Sequence, residues 1–328
     1  MCQTIDIAGG LMEMGEISQA KTMYEQALVA RRLVRDKRGI ADTVTNLGII
    51  LQRQGDLAAA TRCNEEALVL YQELGEKDAV AFMQLNMSGV LVDQGDLSRA
   101  KALLDRSLAI QRTLGNSSDV AEVLFNLGEA LRHQGDIVGA QKAYDEALAI
   151  RISRGEDGNV AQTRLGQAEL LLDSGRPVDS ESLARSALEQ FKKEKRVEEE
   201  VSAHATLATT LLELGRLANA KAEVEQLTKL ARTNQSYSSR LNTEIVAARV
   251  LSGSGKSEDA VRSLRRTIKD AQKTGFFVRQ LEARLALAEI EAKSGKKKES
   301  QDLLHSVERD ARGKGFLLIA RKAVVDRG

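Results

Sequence analysis

The sequence predicts an all-α repeat array, and three observations carry that expectation. One glycine returns every 40 residues: Gly15, Gly55, Gly95, Gly135, Gly175, Gly215, Gly255 and Gly295 share a single phase through the 328-residue chain. The chain has only 25 glycines, so a strict period of this length marks a repeat architecture. Between the glycines, apolar residues recur at helical spacing. Finally, Ala, Leu, Glu, Lys, Arg and Gln dominate, Trp is absent and Pro177 is the one proline, a composition of helix formers without the commonest breaker. Each unit of such an array is expected to pack on its neighbours, so length gives no count of globular domains. The array is read as one domain over 1–328.

The first unit, 1–40, is truncated, with a first helix of at most Cys2 to Met14 and no clear cap. The unit from Ala41 to Val80 sets the pattern. Val44, Leu47, Gly48 and Leu51 define a first helix, A, that runs to Gln54. Gly55 supplies a left-handed residue that ends it, and Asp56 caps the second helix, B, which runs from Leu57 to about Leu74. Leu57, Ala60, Ala67, Leu68 and Tyr71 face inward. Gly75 closes helix B, and that glycine recurs at Gly115, Gly155, Gly275 and Gly315. The tripeptide Gln54-Gly55-Asp56 returns as Gln94-Gly95-Asp96 and Gln134-Gly135-Asp136, so units over 41–160 are the best formed. Units over 161–315 are degenerate. One of them opens helix B with Arg176-Pro177, proline at a first-turn position where its missing N–H costs nothing. The charge run Lys192 to Glu200 reads as a solvated helix end. The last segment, 316–328, is helical over Phe316 to Asp326 and covers the apolar edge that the final unit would expose.

Small residues mark where paired helices approach closely. Gly48, Ser88, Gly128, Ala168, Ala208, Ala248 and Ala288 precede the turn glycine by seven; Ala20, Ala60, Ala100, Ala140, Ala220 and Ala260 follow it by five. A larger side chain there would force the backbones apart.

Leu47-Gly48, Gly55, Ala60 and Ala67, together with Leu127-Gly128, Gly135, Ala140, Tyr144 and Ala147, resemble the tetratricopeptide repeat (TPR) family. The 40-residue unit is similar to its long-repeat type, found in kinesin light chain and in bacterial signalling proteins. The helix A tryptophan and the closing proline of that family are absent, and Gly75, Gly115 and Gly155 take over the closing role. The resemblance implies a right-handed α-solenoid of about eight helix pairs plus a C-terminal capping helix, with a concave groove lined by A helices that holds a peptide or a partner helix.

Net charge is +1, so nothing in bulk drives the chain towards nucleic acid or membranes. The basic excess that does exist, 18 Lys and Arg against 11 Asp and Glu from Leu251 onwards, centres on Lys293, Lys296, Lys297 and Lys298 and reads as a solvated corner. Cys2 and Cys63 form no framework and have no metal-ligand spacing. Cys63 falls at a semi-buried helical phase, so a reducing, cytoplasmic setting is expected. No apolar run of 18 residues exists, and the N-terminus has no signal-peptide pattern.

Chemistry is not expected. Gly253-Ser254-Gly255-Lys256-Ser257 imitates a phosphate loop but has Val250 where the pattern needs glycine, and no strand precedes it. His133, His204 and His305 fall in separate units without paired metal ligands or a local nucleophile. The expectation is a non-enzyme without cofactor, metal or small-molecule substrate.

The groove is therefore the candidate site. Asn46, Asn86 and Asn126 precede their turn glycines by nine residues, with Asp6 at that phase in the first unit. Carboxamides stacked 40 residues apart could donate to and accept from the backbone of an extended peptide. Phe82, Thr45, Leu85 and Phe125 would give apolar neighbours, and Arg53, Arg132 and His133 positive donors. The ladder stops where Gly166, Thr206, Val246 and Ala286 follow. The competing reading is that these asparagines bond within the fold and serve only it. A protein or peptide scaffold is the expected function. The alternatives are a regulatory module of a bacterial signalling kinase or transcription regulator, and RNA binding, for which aromatic residues are too sparse.

Overall fold

Every 40-residue unit folds as a helix, a tight turn, a second helix and a short loop. The structure, a computed structural model, describes residues 2–13, 16–232 and 236–326. Gly15 and the side chain of Asp6 lie outside the described residues. The helices are α1 (Cys2–Glu13), α2 (Ile17–Leu33), α3 (Lys37–Gln54), α4 (Leu57–Leu74), α5 (Lys77–Asp93), α6 (Leu97–Leu114), α7 (Ser117–His133), α8 (Ile137–Ser153), α9 (Asp157–Asp173), α10 (Pro177–Glu194), α11 (Val197–Glu213), α12 (Leu217–Ala231), α13 (Tyr237–Gly253), α14 (Ser257–Thr274), α15 (Phe277–Lys293), α16 (Lys297–Gly313) and α17 (Leu317–Val325). They make an α-solenoid of eight pairs plus a terminal helix. Odd-numbered helices are the A helices.

The turn chemistry is the one the tripeptide predicts. Asp56, Asp96 and Asp136 accept from the backbone N–H three residues on, at 2.9, 3.2 and 2.9 Å, satisfying a donor that the helix start leaves open. At the phase of Gly75, Arg35 and Lys195 take the same left-handed backbone without being glycine, at φ 56° and 57°. The small-residue contact also holds. A Cβ on Gly128 would sit 2.6 Å from the Tyr144 ring, so the α7–α8 approach leaves no room for a side chain.

A helices pack on A helices of adjoining units, while B helices pack on A helices. This places the A helices on the inner wall of the solenoid. The array then departs from a chain in which each unit meets only its neighbours. Helix α3 touches α13, α5 touches α15, and α7 touches α17, so the inner wall closes on itself after five units. The core crosses this seam. One apolar cluster joins Leu97, Leu104 and Val123 to Val278, Leu285, Phe316 and Ile319. Another joins Leu57, Ala60 and Val90 to Leu241, Ala271 and Phe276.

Gly95 shows why the seam can close. Its φ is +83°, and a Cβ there would lie 2.5 Å from Phe277 Cδ1. The turn glycine thus gives the chain its left-handed residue and a flat seat for a ring from the next superhelical turn. Gly55 seats Tyr237 in the same way. Helix α17 covers the last unit and also reaches α7, where Arg321 donates to the Gly135 carbonyl at 3.2 Å.

Candidate functional site

Closure of the inner wall leaves a lumen of about 450 Å³, lined by residues of α3, α5, α7, α9, α11, α13, α15 and α17, with Leu104 of α6. Its centre is ionic. The Arg132 guanidinium bridges Glu129, Glu169 and Asp173 at 2.9, 2.8 and 2.7 Å. Lys322 from α17 adds a second contact to Asp173 at 2.7 Å. Arg279 pairs with Glu282 at 2.7 Å, Gln52 donates to Asp93 at 3.2 Å, and the Tyr144 hydroxyl donates to Glu129. Glu129, Glu169, Arg279 and Glu282 keep 27–31% of their side-chain surface and line the lumen.

Confinement moves the proton affinities. Burial pushes Glu169 up to about 7, with Glu129 adding to it and Arg132 opposing. Burial pushes Asp93 up to about 6 against the Gln52 hydrogen bond and Arg279. Burial would raise Glu129 and Asp173 too, but the charge of Arg132 outweighs it and both stay low. His133 falls to about 4 because burial and Arg132 both disfavour its charged form. The lumen thus holds five carboxylates against three cations, each cation paired.

Glu169 carries a testable consequence. Between its unfolded value near 4.5 and about 7, only the folded chain holds this proton, so the contribution to stability falls as pH rises through that window. Glu169→Gln removes the cost of the charged form. The variant is expected to match wild type near pH 5 and to exceed it by on the order of 1–3 kcal/mol at pH 8, in urea titrations at both pH values. His133 acts in the opposite sense between about 4 and 6.5, so the difference between the two proteins is the clean readout.

Of the residues singled out in the sequence, Asn126, Arg132 and His133 line the lumen. His133 also meets the Phe316 ring edge-on at 5.6 Å. Asn46 and Asn86 are not among the lining residues. Asn46 donates to the Asp42 carbonyl of its own helix at 3.0 Å, and Asn126 donates to the Glu122 carbonyl at 2.9 Å. Asn86 Nδ2 is buried with no hydrogen-bond partner among the described residues. Thr45 is buried and donates to Ala41 at 2.8 Å. Leu85 packs against the central apolar cluster, Phe125 lies 5.9 Å from the Tyr144 ring, and Phe82 is exposed. Arg53 reaches across the seam to Glu198 at 3.0 Å. The structure therefore brings three of these side chains to one cavity and distributes the others over the core, the seam and the surface.

The sequence matches the MalT-like TPR region over residues 8–279. This chain belongs to the MalT-like TPR family. No curated protein matches it significantly in sequence. Solved structures share the fold at low identity. A Rap protein complexed with Competence and Sporulation Factor is 15% identical with a TM-score of 0.66, covering 99% of this chain and 97% of that one. The apo form of the quorum sensor NprR from B. thuringiensis is 13% identical with a TM-score of 0.58, covering 94% and 86%. BtubC from P. vanneervenii is 19% identical with a TM-score of 0.52, covering 67% and 93%.

In this MalT-like TPR array the lumen residues Glu129, Glu169, Asp173, Arg279 and Glu282 escaped the sequence reading. For Glu129, Glu169 and Asp173 a signal existed. Glu129 and Glu169 are 40 residues apart on helix A, and so are Asp93, His133 and Asp173. Charge kept at one phase of an inner-wall helix marks a polar interior. Among the described residues no helix is long and apolar enough to cross a membrane, and no cluster of three or more His, Cys, Asp or Glu is placed to hold a metal.

Proposed function

We propose that this MalT-like TPR array is a non-catalytic interaction module that takes a short peptide segment into its lumen. The observation that carries this reading is a concave cavity of ligand size, ~300–1,000 Å³ being usual, whose walls offer both donors and acceptors. Charged groups already paired and oriented can exchange partners with a ligand backbone without much reorganisation. Asn126 and Glu282 are the proposed contacts, with Asn86 as a further carboxamide on the neighbouring A helix. Glu169 and Asp173 surround Arg132 too fully for the guanidinium to serve a phosphate backbone, which argues for a peptide over nucleic acid. A cytoplasmic setting fits the free Cys63 thiol, whose partial burial pushes its pKa up and keeps it unreactive.

Two fold neighbours support the same direction, one a Rap protein solved with the Competence and Sporulation Factor and the other described as a quorum sensor. They favour, as a second reading, a regulatory module within a signalling protein, in which peptide capture is the input.

The test is selection of a random displayed peptide library on the full chain, followed by fluorescence anisotropy with the selected peptides. Asn126→Ala and Glu282→Gln are expected to weaken binding about tenfold or more, while Val178→Ala on the outer helix α10 leaves it unchanged. Absence of any selected peptide, or equal sensitivity to Val178→Ala, contradicts the reading.

A further inference from the structure

Asp93, at the end of α5, stands apart from the other carboxylates of the lumen. Glu129, Glu169 and Asp173 share Arg132, and Glu282 pairs with Arg279. Asp93 has no ion pair among the described residues. Its one hydrogen bond there comes from a neutral donor, Gln52 Nε2 of α3, at 3.2 Å on Oδ2.

The array supplies its own comparison. Asp173 lies two units further on at the same phase of helix A, and it carries two cations, Arg132 and Lys322, each at 2.7 Å. The surroundings move the two protons in opposite directions. Arg132 and Lys322 hold Asp173 low against burial, whereas burial pushes Asp93 up to about 6. The charges that act on Asp93 are Arg279 and Glu282 of α15, which oppose each other and are already paired.

There is space beside Asp93. A second cavity of about 310 Å³ adjoins the lumen, and Gln52 and Asp93 line both. Ile49 and Phe276 give this side cavity apolar wall, and Ser238 and Ser239 give it hydroxyls. Arg53 and Glu198 also line it but are paired with each other at 3.0 Å. Asp93 is thus the one uncompensated charge among its lining residues.

We propose that Asp93 anchors a basic side chain, lysine or arginine, of the peptide taken into the lumen. The side chain leaves the lumen where the two cavities meet and enters the side cavity. Asp93 takes its charge there, and Ile49 and Phe276 flank its aliphatic stem. A charge-assisted hydrogen bond is roughly twice as strong as a neutral one, and here the cation displaces no existing ion pair. An acidic side chain at this point would be repelled, and a neutral one would leave the carboxylate uncompensated. The anchor rests on the lumen as the peptide site.

The peptides selected on the full chain are expected to carry lysine or arginine at one shared position. Norleucine at that position, or Asp93→Asn in the chain, is expected to weaken binding about tenfold in fluorescence anisotropy. Both changes together are expected to cost no more than either alone. Asp105→Asn on the outer helix α6, which removes an exposed carboxylate, is expected to change nothing. The norleucine peptide reads the anchor in the unaltered chain. Peptides without a shared basic residue, or losses that multiply, overturn the anchor and leave capture in the lumen standing. Agmatine, which carries a guanidinium and an ammonium, serves as a probe that needs no peptide. In calorimetric titrations it is expected to bind wild type with a Kd on the order of 1 mM and Asp93→Asn about tenfold more weakly. Equal affinity for the two chains overturns the anchor even if no peptide is found. Agmatine binding that depends on Asp93, in a chain that selects no peptide, contradicts the peptide as the source of the cation.

Discussion

Gly95→Ala is expected to cost about 2–5 kcal/mol of stability, while Gly215→Ala, the same change at the same repeat phase, is expected to cost about 1–2 kcal/mol. Both glycines are left-handed, at φ +83° and +70°, so both substitutions meet the backbone penalty for a residue with a Cβ. Only at Gly95 does the new methyl have nowhere to go. Nothing lies within 4 Å of the Gly215 position, whereas Phe277 Cδ1 and Cγ lie 2.5 and 2.8 Å from the Gly95 position. Phe277 cannot simply retreat, because it packs against Phe316 and the central cluster. Overpacking of this kind adds about 1–3 kcal/mol. Urea midpoints of the two variants make the comparison. Equal losses would mean that the contact between superhelical turns contributes nothing to stability.

The second large effect is expected at the ionic centre. Arg132→Met should destabilise the chain by about 3–5 kcal/mol at neutral pH, because Glu129, Glu169 and Asp173 would share a confined space without their common counter-ion. Lys322 would still reach Asp173, so the other two carboxylates bear most of the loss. The cost should shrink towards pH 5, where Glu169 takes up its proton and one repulsive charge disappears. Adding Glu169→Gln to Arg132→Met should recover part of the stability at pH 7 and little at pH 5. Thermal melts of the four proteins at both pH values form the cycle. A loss that is the same at both pH values would place the effect of Arg132 in packing rather than in charge.

Much of the fold was legible because its determinants are local. A left-handed glycine, an aspartate cap and a small residue at a helix crossing act within one 40-residue unit, and each leaves its mark at a fixed phase. Gly95, Asp96 and Ala100 are read correctly from spacing alone. The seam was not legible in this way. It depends on a small rotation between adjoining units that accumulates over five of them before α3 meets α13. Even so, a trace of it is present in the chain. At the first position of helix A the early units carry Lys37, Lys77, Ser117 and Asp157, while the later ones carry Val197, Tyr237, Phe277 and Leu317. The turn from polar to apolar is matched by partial burial at Tyr237 and Phe277, while Val197 and Leu317 remain exposed. Here Tyr237 and Phe277 lie on Gly55 and Gly95 of the earlier units.

The site was legible in part for the same reason. The inner-wall position of helix A places Arg132, His133 and Asn126 in the lumen. The asparagine phase itself did not distinguish a ligand-facing amide from one that bonds its own helix, as Asn46 does to Asp42. An i to i−4 side-chain bond satisfies a carboxamide without any partner outside the helix, and spacing cannot separate the two. The lumen chemistry also depends on which charges the closed wall brings together. Arg132 and Lys322 meet on Asp173 although 190 residues separate them in the chain.

Hydrogen exchange of the full chain, free and saturated with a selected peptide, tests capture in the lumen most directly. Binding inside the closed superhelix is expected to slow exchange in the A helices α7, α9 and α11 and to leave the outer helices α8 and α10 unchanged. Protection confined to α8 and α10, with the inner helices exchanging as in the free protein, would place the ligand on the outer surface and contradict the proposed function.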